Sequence, residues 1–512
     1  MAGTGLRAAC GVVSAGVALG VAELVSVPVG AGSAPLAALG SAVVDHTPDT
    51  VREWAIDTFG TNDKLVLSLL MGIVALAVAA LAGTVERIGR PIGSAVFAIF
   101  GIVAAWAAVT RPAADRTWML PSIVGVALAI VALRWLIRRG ERPAADAVAA
   151  PAEPVVAQMD RRQLVRAIAS VGVVAVAAGV VGRVLGATVH SVSAERAQIR
   201  LPPPNTPAPP PDPAADLRIP GLTPYLTAND DFYRIDTALV VPQVSTETWS
   251  LRIHGMVDRE IRLDYRDLTH RQAVERTVTL TCVSNPVGGD LIGNARWLGY
   301  RLDELLAEAG PHPDADMVLS RSVDGFTAGS PLAALTDGRD ALLAVGMNGE
   351  PLPVEHGYPV RLVVPGLYGY VSATKWVTEL EVTRFDRAQA YWTRRGWSAR
   401  GPIKTGTRID TPRGGAVRAG VVTIAGVAWA QHRGIRAVEV QIDDGPWQFA
   451  RLAAEPSIDT WRQWSFDWDA TAGTHTLRAR STDGTGAVQT AEYADVVPDG
   501  ASGYPSKTVR VG

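Results

Sequence analysis

The uneven distribution of apolar residues is the feature that most constrains this chain. Five apolar stretches lie within the first 190 of its 512 residues, at 6–28, 64–85, 92–110, 119–137 and 164–186. A helix needs about 20 apolar residues to cross the hydrocarbon core of a bilayer. We therefore predict a transmembrane anchor of five helices over residues 1–190. The apolar segment 31–44 is too short to span, which favours a loop or a re-entrant piece.

Basic residues between the apolar stretches predict the orientation of this anchor. Arginines collect on one side, among them Arg87, Arg90, Arg134 and Arg138, and cytoplasmic loops carry such an excess. Five crossings that start inside place everything after residue 190 on the extracytoplasmic side. We thus predict a multi-pass protein in contact with membrane lipid. The net charge of −2 gives no argument for a nucleic-acid partner.

The fifth apolar stretch is preceded by "DRRQLVR", in which Arg161 and Arg162 are adjacent. Two interpretations stay open from these residues. The pair is either a positive-inside flank or part of a twin-arginine export signal. The twin-arginine route exports folded proteins, often with a cofactor already inserted, so a cofactor downstream favours the second interpretation.

Histidines are scarce in the anchor. Of eight in the chain, only His46 and His190 precede residue 200, and both lie outside the apolar stretches. A haem held between helices normally needs axial ligands, most often histidines. We therefore expect no haem, and anchoring or partner docking is the simpler role for this region.

The remaining chain predicts a multi-domain protein. Residues 191–221 contain the proline-rich "LPPPNTPAPPPDPAADLRIP" and predict an extended linker. Residues 222–390 mix alternating strand patterns, such as "TWSLRIHGMV" and "RTVTLTCV", with the helical pattern "RLDELLAEAG", so we predict an α+β domain. Residues 400–512 carry short strand signals at near-regular spacing, which predict an all-β immunoglobulin-like sandwich.

Cys282 is one of two cysteines in the chain and follows a predicted strand in "TVTLTCVSNPVGGD". A side chain where a strand meets a loop is well placed for function. Three roles are open: a buried structural thiol, a nucleophile with a nearby histidine base, or a thiolate ligand to a metal that an organic cofactor already holds.

Several motifs, in order, resemble the sulfite oxidase family of molybdopterin-dependent oxidoreductases. They are "LTCVSN", "NARWLGYRLDELL", "MNGEPLPVEHGYPVRLVVPGLYGYVSATKWV" and "YWTRRGWS", and the resemblance runs from "NDDFYRID" to the end of the chain. It implies a molybdenum–molybdopterin cofactor, two-electron oxygen-atom transfer on a small-molecule substrate, and a homodimer through residues 400–512.

The resemblance also assigns candidate site residues. Cys282 matches the thiolate that binds molybdenum, and Arg462 in "WRQW" matches an arginine that reaches the substrate. The residues that match cofactor-binding positions are Tyr233, Arg234, His356, Arg361, Ala373, Thr374 and Lys375. Cationic donors suit a phosphate, although Arg361, Lys375 and Arg462 taken alone could equally be ordinary surface residues.

The chain departs from the family pattern at the substrate. Phe326 stands where the family carries a tyrosine above the metal, and Pro286 and Val287 stand where it carries arginines. Charge-assisted contacts of this kind contribute about 1.5–3 kcal/mol each. We therefore expect a larger or less charged substrate than sulfite. The haem domain of the animal enzymes has no counterpart, so an external electron acceptor, a cytochrome or a membrane component, is expected.

Two alternatives remain from the sequence. The same centre could run in the opposite direction, as a reductase of sulfoxides or other oxo-substrates. From another class of protein, the chain could be a cofactor-free binding or scaffold protein displayed from a membrane base.

Overall fold

The computed structural model describes residues 3–59, 63–112, 114–141, 155–210 and 212–512. The chain divides into two compact units, Met1–Ser191 with Ala238–Val241, and Val192–Thr237 with Pro242–Gly512. Of the adjacent arginines before the fifth apolar stretch, the side chain of Arg161 lies outside the described residues.

The first unit is helical. Its helices are α1 Thr4–Ser26, α2 Pro35–His46, α3 Asp49–Phe59, α4 Asp63–Val85, α5 Ile92–Val109, α6 Leu120–Glu141 and α7 Val155–Val189. Five segments are long and apolar enough to cross a membrane: Thr4–Ser26, Lys64–Val85, Ile92–Val109, Arg116–Arg139 and Arg162–Gln198. The prediction of five apolar helices in this region is confirmed.

Helix α1 packs against α4, α6 and α7. Small residues allow the backbones to approach closely, as is usual between apolar helices. A Cβ on Gly11 would lie 1.9 Å from the carbonyl oxygen of Ala79 on α4, so this contact requires glycine. The segment 31–44, which we expected to be a loop or a re-entrant piece, largely forms helix α2. Pro35 occupies its first turn, where a missing N–H costs nothing.

The part of the second unit from residue 250 to residue 383 forms two sheets. Its strands are β1 Ser250–Gly255, β2 Ile261–Asp264, β3 Val274–Thr281, β4 Ile292–Arg301, β5 Met317–Ser322, β6 Thr327–Pro331, β7 Leu342–Met347, β8 Glu350–Pro351, β9 Arg361–Val363 and β10 Val377–Thr383. One sheet has the order β2-β1-β10-β5-β6, in which β1 and β10 are parallel. The other has the order β3-β4-β7-β8, with β9 on β7.

Short helices accompany these sheets: α8 Ser193–Gln198, α9 Tyr265–Thr269, α10 Leu302–Ala309, α11 Leu332–Thr336 and α12 Gly369–Ser372. Helix α10 follows the apolar spacing of its sequence, because Leu302, Leu305 and Leu306 are all buried. It ends at Gly310, whose left-handed φ of +69° closes the last turn. The helix predicted from "RLDELLAEAG" is confirmed.

From residue 406 onward, the helices and strands of the carboxy-terminal region are all β strands. They are β11 Gly406–Thr411, β12 Ala416–Val417, β13 Gly420–Trp429, β14 Ile435–Ile442, β15 Gln448–Phe449, β16 Arg451–Leu452, β17 Arg462–Ala470, β18 Gly473–Asp483 and β19 Ser506–Val511. Two sheets form, β11-β13-β17-β16 and β12-β19-β18-β14-β15. Both contribute to one apolar core, which includes Ile424 and Trp464 from the first and Leu477 and Val509 from the second.

The proline-rich segment belongs to the second unit and forms hydrogen bonds to other parts of it. Asn205 N donates to the carbonyl of Ala273, at 2.7 Å, and Leu217 N donates to the Gln463 side chain, also at 2.7 Å. Within the predicted linker, 191–221, the described residues include helix α8 and one 3₁₀ turn, Pro213–Ala215. The described part between them has no helix or strand, and it packs against folded chain instead of standing free.

Candidate active site

Cys282 follows directly after strand β3, as the sequence predicts. Its backbone N–H donates to the carbonyl of Leu291 at 2.9 Å, and its own carbonyl accepts from Asn285 N at 3.2 Å. The Asn285 side-chain oxygen also accepts from Leu291 N, at 2.9 Å. These bonds hold the loop after β3 in a fixed shape, so the position of the thiol is determined by the sheet.

Residues of the carboxy-terminal region form hydrogen bonds to strand β3. The Gln431 amide donates to the Thr281 hydroxyl at 2.9 Å, and Trp461 N donates to the Thr279 hydroxyl at 2.8 Å. Both threonines are fully buried. Strand β3 is thereby fixed on the side away from β4, and Cys282 is attached to a rigid element.

The thiol of Cys282 is 8% exposed and forms no disulfide. Burial raises its pKa, and hydrogen bonds from Ser284 oppose the shift only in part. The side chain is therefore a neutral thiol unless a cation displaces its proton. A metal ion does this, because thiolate is the form that binds metals.

A cavity of about 930 Å³, which includes space open to solvent, lies beside this thiol. Of the ten residues singled out from the sequence, seven line it: Tyr233, Cys282, Phe326, His356, Arg361, Ala373 and Lys375. The fold thus brings together residues from four separate segments of the chain.

Arg361 carries a buried charge in the cavity wall. It is 5% exposed, and its guanidinium donates only to backbone carbonyls, those of His356 at 3.1 Å, Leu362 at 3.3 Å and Ala373 at 3.4 Å. No carboxylate in the described part of the chain forms an ion pair with it. Burial lowers its pKa to about 10. A buried cation without an anion is costly, so the site fits an anionic ligand.

Lys375 supplies the second cation. Its Nζ lies 2.8 Å from the Asp236 carboxylate and donates to the carbonyl of Glu355 at 2.9 Å. Burial lowers the pKa of Lys375 to about 8, although Asp236 opposes the shift. Arg234 donates to the same carboxylate at 3.0 Å. Arg234 itself does not line the cavity. It is linked to Lys375 through the Asp236 carboxylate, to which both residues bond.

His356 is 4% exposed and lies between these cations and an aromatic ring. Its Nε2 is 3.2 Å from the carbonyl of Asn229, to which it donates, and its ring meets Phe232 edge to face at 5.6 Å. Burial, together with Arg361 and Lys375, lowers the pKa of His356 to about 4. The imidazole is therefore neutral near pH 7 and offers hydrogen bonds without charge.

The remaining predicted residues differ in position. Thr374 is fully buried and bonds to the Ser320 hydroxyl at 2.7 Å, next to the cavity wall. Arg462 does not line the cavity: its guanidinium donates to the carbonyls of Ala453 and Ile435, both at 2.7 Å. Pro286 and Val287 line a separate depression, so the cavity gives no support for their part in substrate choice.

The structure adds residues that the sequence did not single out. Asp236 lies three residues after Tyr233, but nothing in its own segment shows that it meets Lys375. Trp392 and Trp397 belong to the motif "YWTRRGWS", from which no site residue was predicted, yet both line the cavity. Ser322 also lines it, and its buried hydroxyl has no hydrogen-bond partner among the described residues.

These observations fit a metal bound through an anionic organic cofactor. No group of three or more His, Cys, Asp or Glu side chains suited to hold a metal occurs within the described residues, so Cys282 would be the protein's contribution and the cofactor would supply the other ligands. Arg361 and Lys375 suit a phosphate.

Comparison with known proteins agrees with this geometry. Residues 238–392 match the family model described as an oxidoreductase molybdopterin binding domain. Human mitochondrial sulfite oxidase is 31% identical over 298 residues, which cover 49% of this chain and 54% of that protein. The uncharacterized oxidoreductase YuiH of Bacillus subtilis is 33% identical over 153 residues, 30% of this chain and 74% of that one.

The chain spans about half the length of the curated sulfite oxidases it matches. Among solved structures, the sulfane dehydrogenase SoxCD of Paracoccus pantotrophus superposes with a TM-score of 0.49 at 23% identity, covering 57% of this chain and 84% of that one. The fold and the site define a molybdopterin-binding oxidoreductase. Within that class, the chain belongs to the sulfite oxidase family.

Proposed function

We propose that this enzyme is a membrane-anchored molybdenum–molybdopterin oxidoreductase that acts outside the cell membrane. The observation that carries the proposal is the meeting of Cys282 and the buried, carboxylate-free Arg361 in one cavity wall. A thiol that only a cation would deprotonate and a guanidinium that lacks an anion are complementary to a metal and a phosphate on the same cofactor.

Each candidate residue has a distinct part in this proposal. Cys282 gives its thiolate to molybdenum, while Arg361 and Lys375 hold the phosphate. Neutral His356 and Tyr233 contact the pterin. Ala373 and Thr374 shape the loop around the phosphate, and Arg234 supports Lys375 through Asp236. When bound, the cofactor supplies a metal that exchanges an oxygen atom and two electrons with a substrate.

The reaction is a two-electron oxygen-atom transfer on a small-molecule substrate. In the oxidative direction, substrate and water give the oxygenated product, two protons and two electrons. The electrons leave to an external acceptor, a cytochrome or a membrane component. We place the substrate beside Phe326, which lines the cavity and has no hydroxyl to donate to an oxyanion. A substrate other than sulfite follows from this change.

A reductase of sulfoxides or other oxo-substrates uses the same residues in the reverse direction and remains the second enzymatic candidate. The cofactor-free scaffold is disfavoured, because retaining the buried charge of Arg361 in a protein that binds no anion would cost stability without benefit.

The architecture proposed around this site follows the sequence. Residues 1–190 form the five-helix anchor, 191–221 the linker, 222–390 the molybdopterin domain and 400–512 an immunoglobulin-like domain through which two chains pair. The arginine distribution supports catalytic domains on the extracytoplasmic side. A domain that folds around an inserted cofactor before export supports the twin-arginine interpretation of Arg161 and Arg162. Arg462 has no part in the proposed substrate site, because its guanidinium donates to the carbonyls of Ala453 and Ile435 and does not line the cavity.

The test is the metal and pterin content of the full-length protein, purified from a host that makes molybdopterin. We expect about one molybdenum and one pterin per chain, and a large loss of molybdenum in Cys282→Ser. Cys10→Ser is the matched control, because Cys10 is the only other cysteine and lies in helix α1. A folded protein that contains neither molybdenum nor pterin would contradict the proposal.

A further inference from the structure

The cavity has an aromatic wall, formed by Phe326, Tyr370, Trp392 and Trp397. Tyr391 does not line the cavity but packs between two of these residues. Its ring centroid lies 5.7 Å from that of Phe326 and 5.1 Å from that of Trp392. The Trp392 and Trp397 rings are 6.2 Å apart, and those of Tyr370 and Trp397 are 5.8 Å apart. The aromatic wall is thus one continuous packed surface.

Packing fixes this wall in place. The Tyr370 hydroxyl donates to the carbonyl of Ser398 at 2.6 Å, which ties the ring to the segment that carries Trp397. Tyr391 N donates to the carbonyl and the hydroxyl of Thr327, at 3.2 and 3.0 Å. Strand β6, which begins at Thr327, therefore holds the segment with Trp392 beside Phe326. A rigid aromatic surface binds a flat apolar group with little loss of side-chain entropy.

The charges in the cavity are divided between segments. Its cationic side chains are Arg361 and Lys375, which bond to the carbonyls of His356 and Glu355 and which the proposed function assigns to the cofactor. The turn that carries Phe326 instead contributes Asp324, whose carboxylate accepts from Phe326 N at 3.2 Å. Asp324 also lines the cavity, and no cation of the described chain forms an ion pair with it.

We propose that the aromatic wall and Asp324 select a substrate with an aromatic body and no negative charge. This inference rests on the proposed function, because the cofactor must occupy the cationic residues for the aromatic wall to be left to the substrate. Aromatic faces attract neutral rings and cations, and a neighbouring carboxylate adds attraction for a cation and repulsion for an anion. Small oxyanions should therefore bind weakly to the aromatic wall and Asp324.

A charge series of aromatic thioethers tests the inference on the cofactor-loaded, full-length protein. The probes are 4-(methylthio)benzyl alcohol, 4-(methylthio)benzylamine and 4-(methylthio)benzoate, with 3-(methylthio)propan-1-ol as the non-aromatic probe. Calorimetric titration gives each Kd. We expect the alcohol and the amine to bind about tenfold more tightly than the benzoate, and the aromatic alcohol about tenfold more tightly than the aliphatic one.

Variants separate the two parts of the surface. Asp324→Asn should bring the Kd values of the amine and the benzoate together and leave the aromatic preference intact. Trp397→Leu should remove the aromatic preference, and Trp397→Phe should restore most of it. Trp447→Leu is the control, since Trp447 packs on Tyr504 and Arg480 outside the cavity, and should change neither preference.

Molybdenum and pterin are measured on every sample. Benzoate binding as tightly as the amine, or Trp397→Leu without effect on the aromatic preference, in a loaded protein contradicts this inference and leaves the proposed function standing. A protein that never loads the cofactor contradicts both.

Discussion

The Lys375 ammonium lies 2.8 Å from the Asp236 carboxylate, and both side chains are more than nine-tenths buried. The two residues are 139 positions apart in the chain. With a pKa of about 8, Lys375 carries its charge at neutral pH and loses it in mildly alkaline solution. Burial lowers this pKa and Asp236 opposes the shift, so Asp236 extends the pH range over which the cavity presents a second cation.

Asp236→Asn should narrow that range. Removing the carboxylate removes the interaction that raises the pKa of Lys375, so the ammonium deprotonates at lower pH. With the cofactor-free, full-length protein and inorganic phosphate as the probe, we expect binding of the wild type to weaken above about pH 8. Phosphate binding by Asp236→Asn should weaken at a lower pH than phosphate binding by the wild type. Asp230→Asn, at an exposed site, is the control, and identical pH profiles for all three would contradict the assignment.

Arg361→Met should remove the cofactor without weakening the fold. The guanidinium has no carboxylate partner, so its replacement by an apolar side chain leaves no buried anion and relieves a buried charge. Arg408 offers the matched contrast, since it pairs with the buried Asp410. Arg408→Met should destabilise the folded protein by about 3–5 kcal/mol, because it leaves the buried Asp410 carboxylate without its ion-pair partner.

Thermal unfolding of the cofactor-free proteins and the pterin content of the loaded ones distinguish these effects. A cofactor-free Arg361→Met protein that unfolds as readily as Arg408→Met would show that Arg361 has a structural role instead.

His356 should make the fold sensitive to acid. Its folded-state pKa is about 4, below the ordinary value near 6.5, so between these values the unfolded chain binds a proton that the folded chain does not. Stability is therefore lost as the pH falls through this window, by about 3 kcal/mol at its acid end. The free energy of unfolding of His356→Gln, measured from pH 7 to pH 4, should not show the part of the acid-induced decrease that His356 causes.

His475 is the control for that measurement. A hydrogen bond with Asp443 raises the pKa of this imidazole, so its contribution to stability is present at low pH and is lost as the pH rises. His475→Gln should leave the acid-side loss in place. Equal pH profiles for His356→Gln and the wild type would exclude a buried neutral imidazole at position 356.

Phe326→Tyr should raise any weak turnover of sulfite. A hydroxyl at this position can donate to an oxyanion, and a charge-assisted hydrogen bond of about 1.5–3 kcal/mol corresponds to roughly a tenfold or greater gain in kcat/KM. Steady-state kinetics with sulfite and an artificial electron acceptor measure the change. Unaltered sulfite turnover would mean that this turn does not contact the substrate.

Replacement of Arg161 and Arg162 by lysines should hold the protein on the cytoplasmic side. Lysine keeps the positive charge of the flank, so orientation by charge alone would be unaffected, whereas a twin-arginine signal would be lost. Protease added to intact cells measures exposure of residues 222–512. Normal cleavage in the variant would leave only the positive-inside interpretation.

The sequence determined the parts of this protein that depend on local periodicity. The five apolar stretches became apolar helices because length and hydrophobicity suffice to specify them. The alternation before Cys282 became strand β3, and the leucine spacing before Gly310 became helix α10. The segment 31–44 forms helix α2 over most of its length, which excludes the loop but does not test the re-entrant piece. Its short length excludes a span but does not exclude a helix.

The tertiary structure decided which distant residues meet. The pairing of Asp236 with Lys375, the aromatic wall with Asp324, and the position of Arg462 away from the cavity all depend on how sheets and loops pack. Periodicity records which face of an element is buried, but it carries no information about the partner that covers it. Contacts between remote segments are fixed only when the whole core closes, because burial, charge pairing and chain connectivity must then be satisfied together.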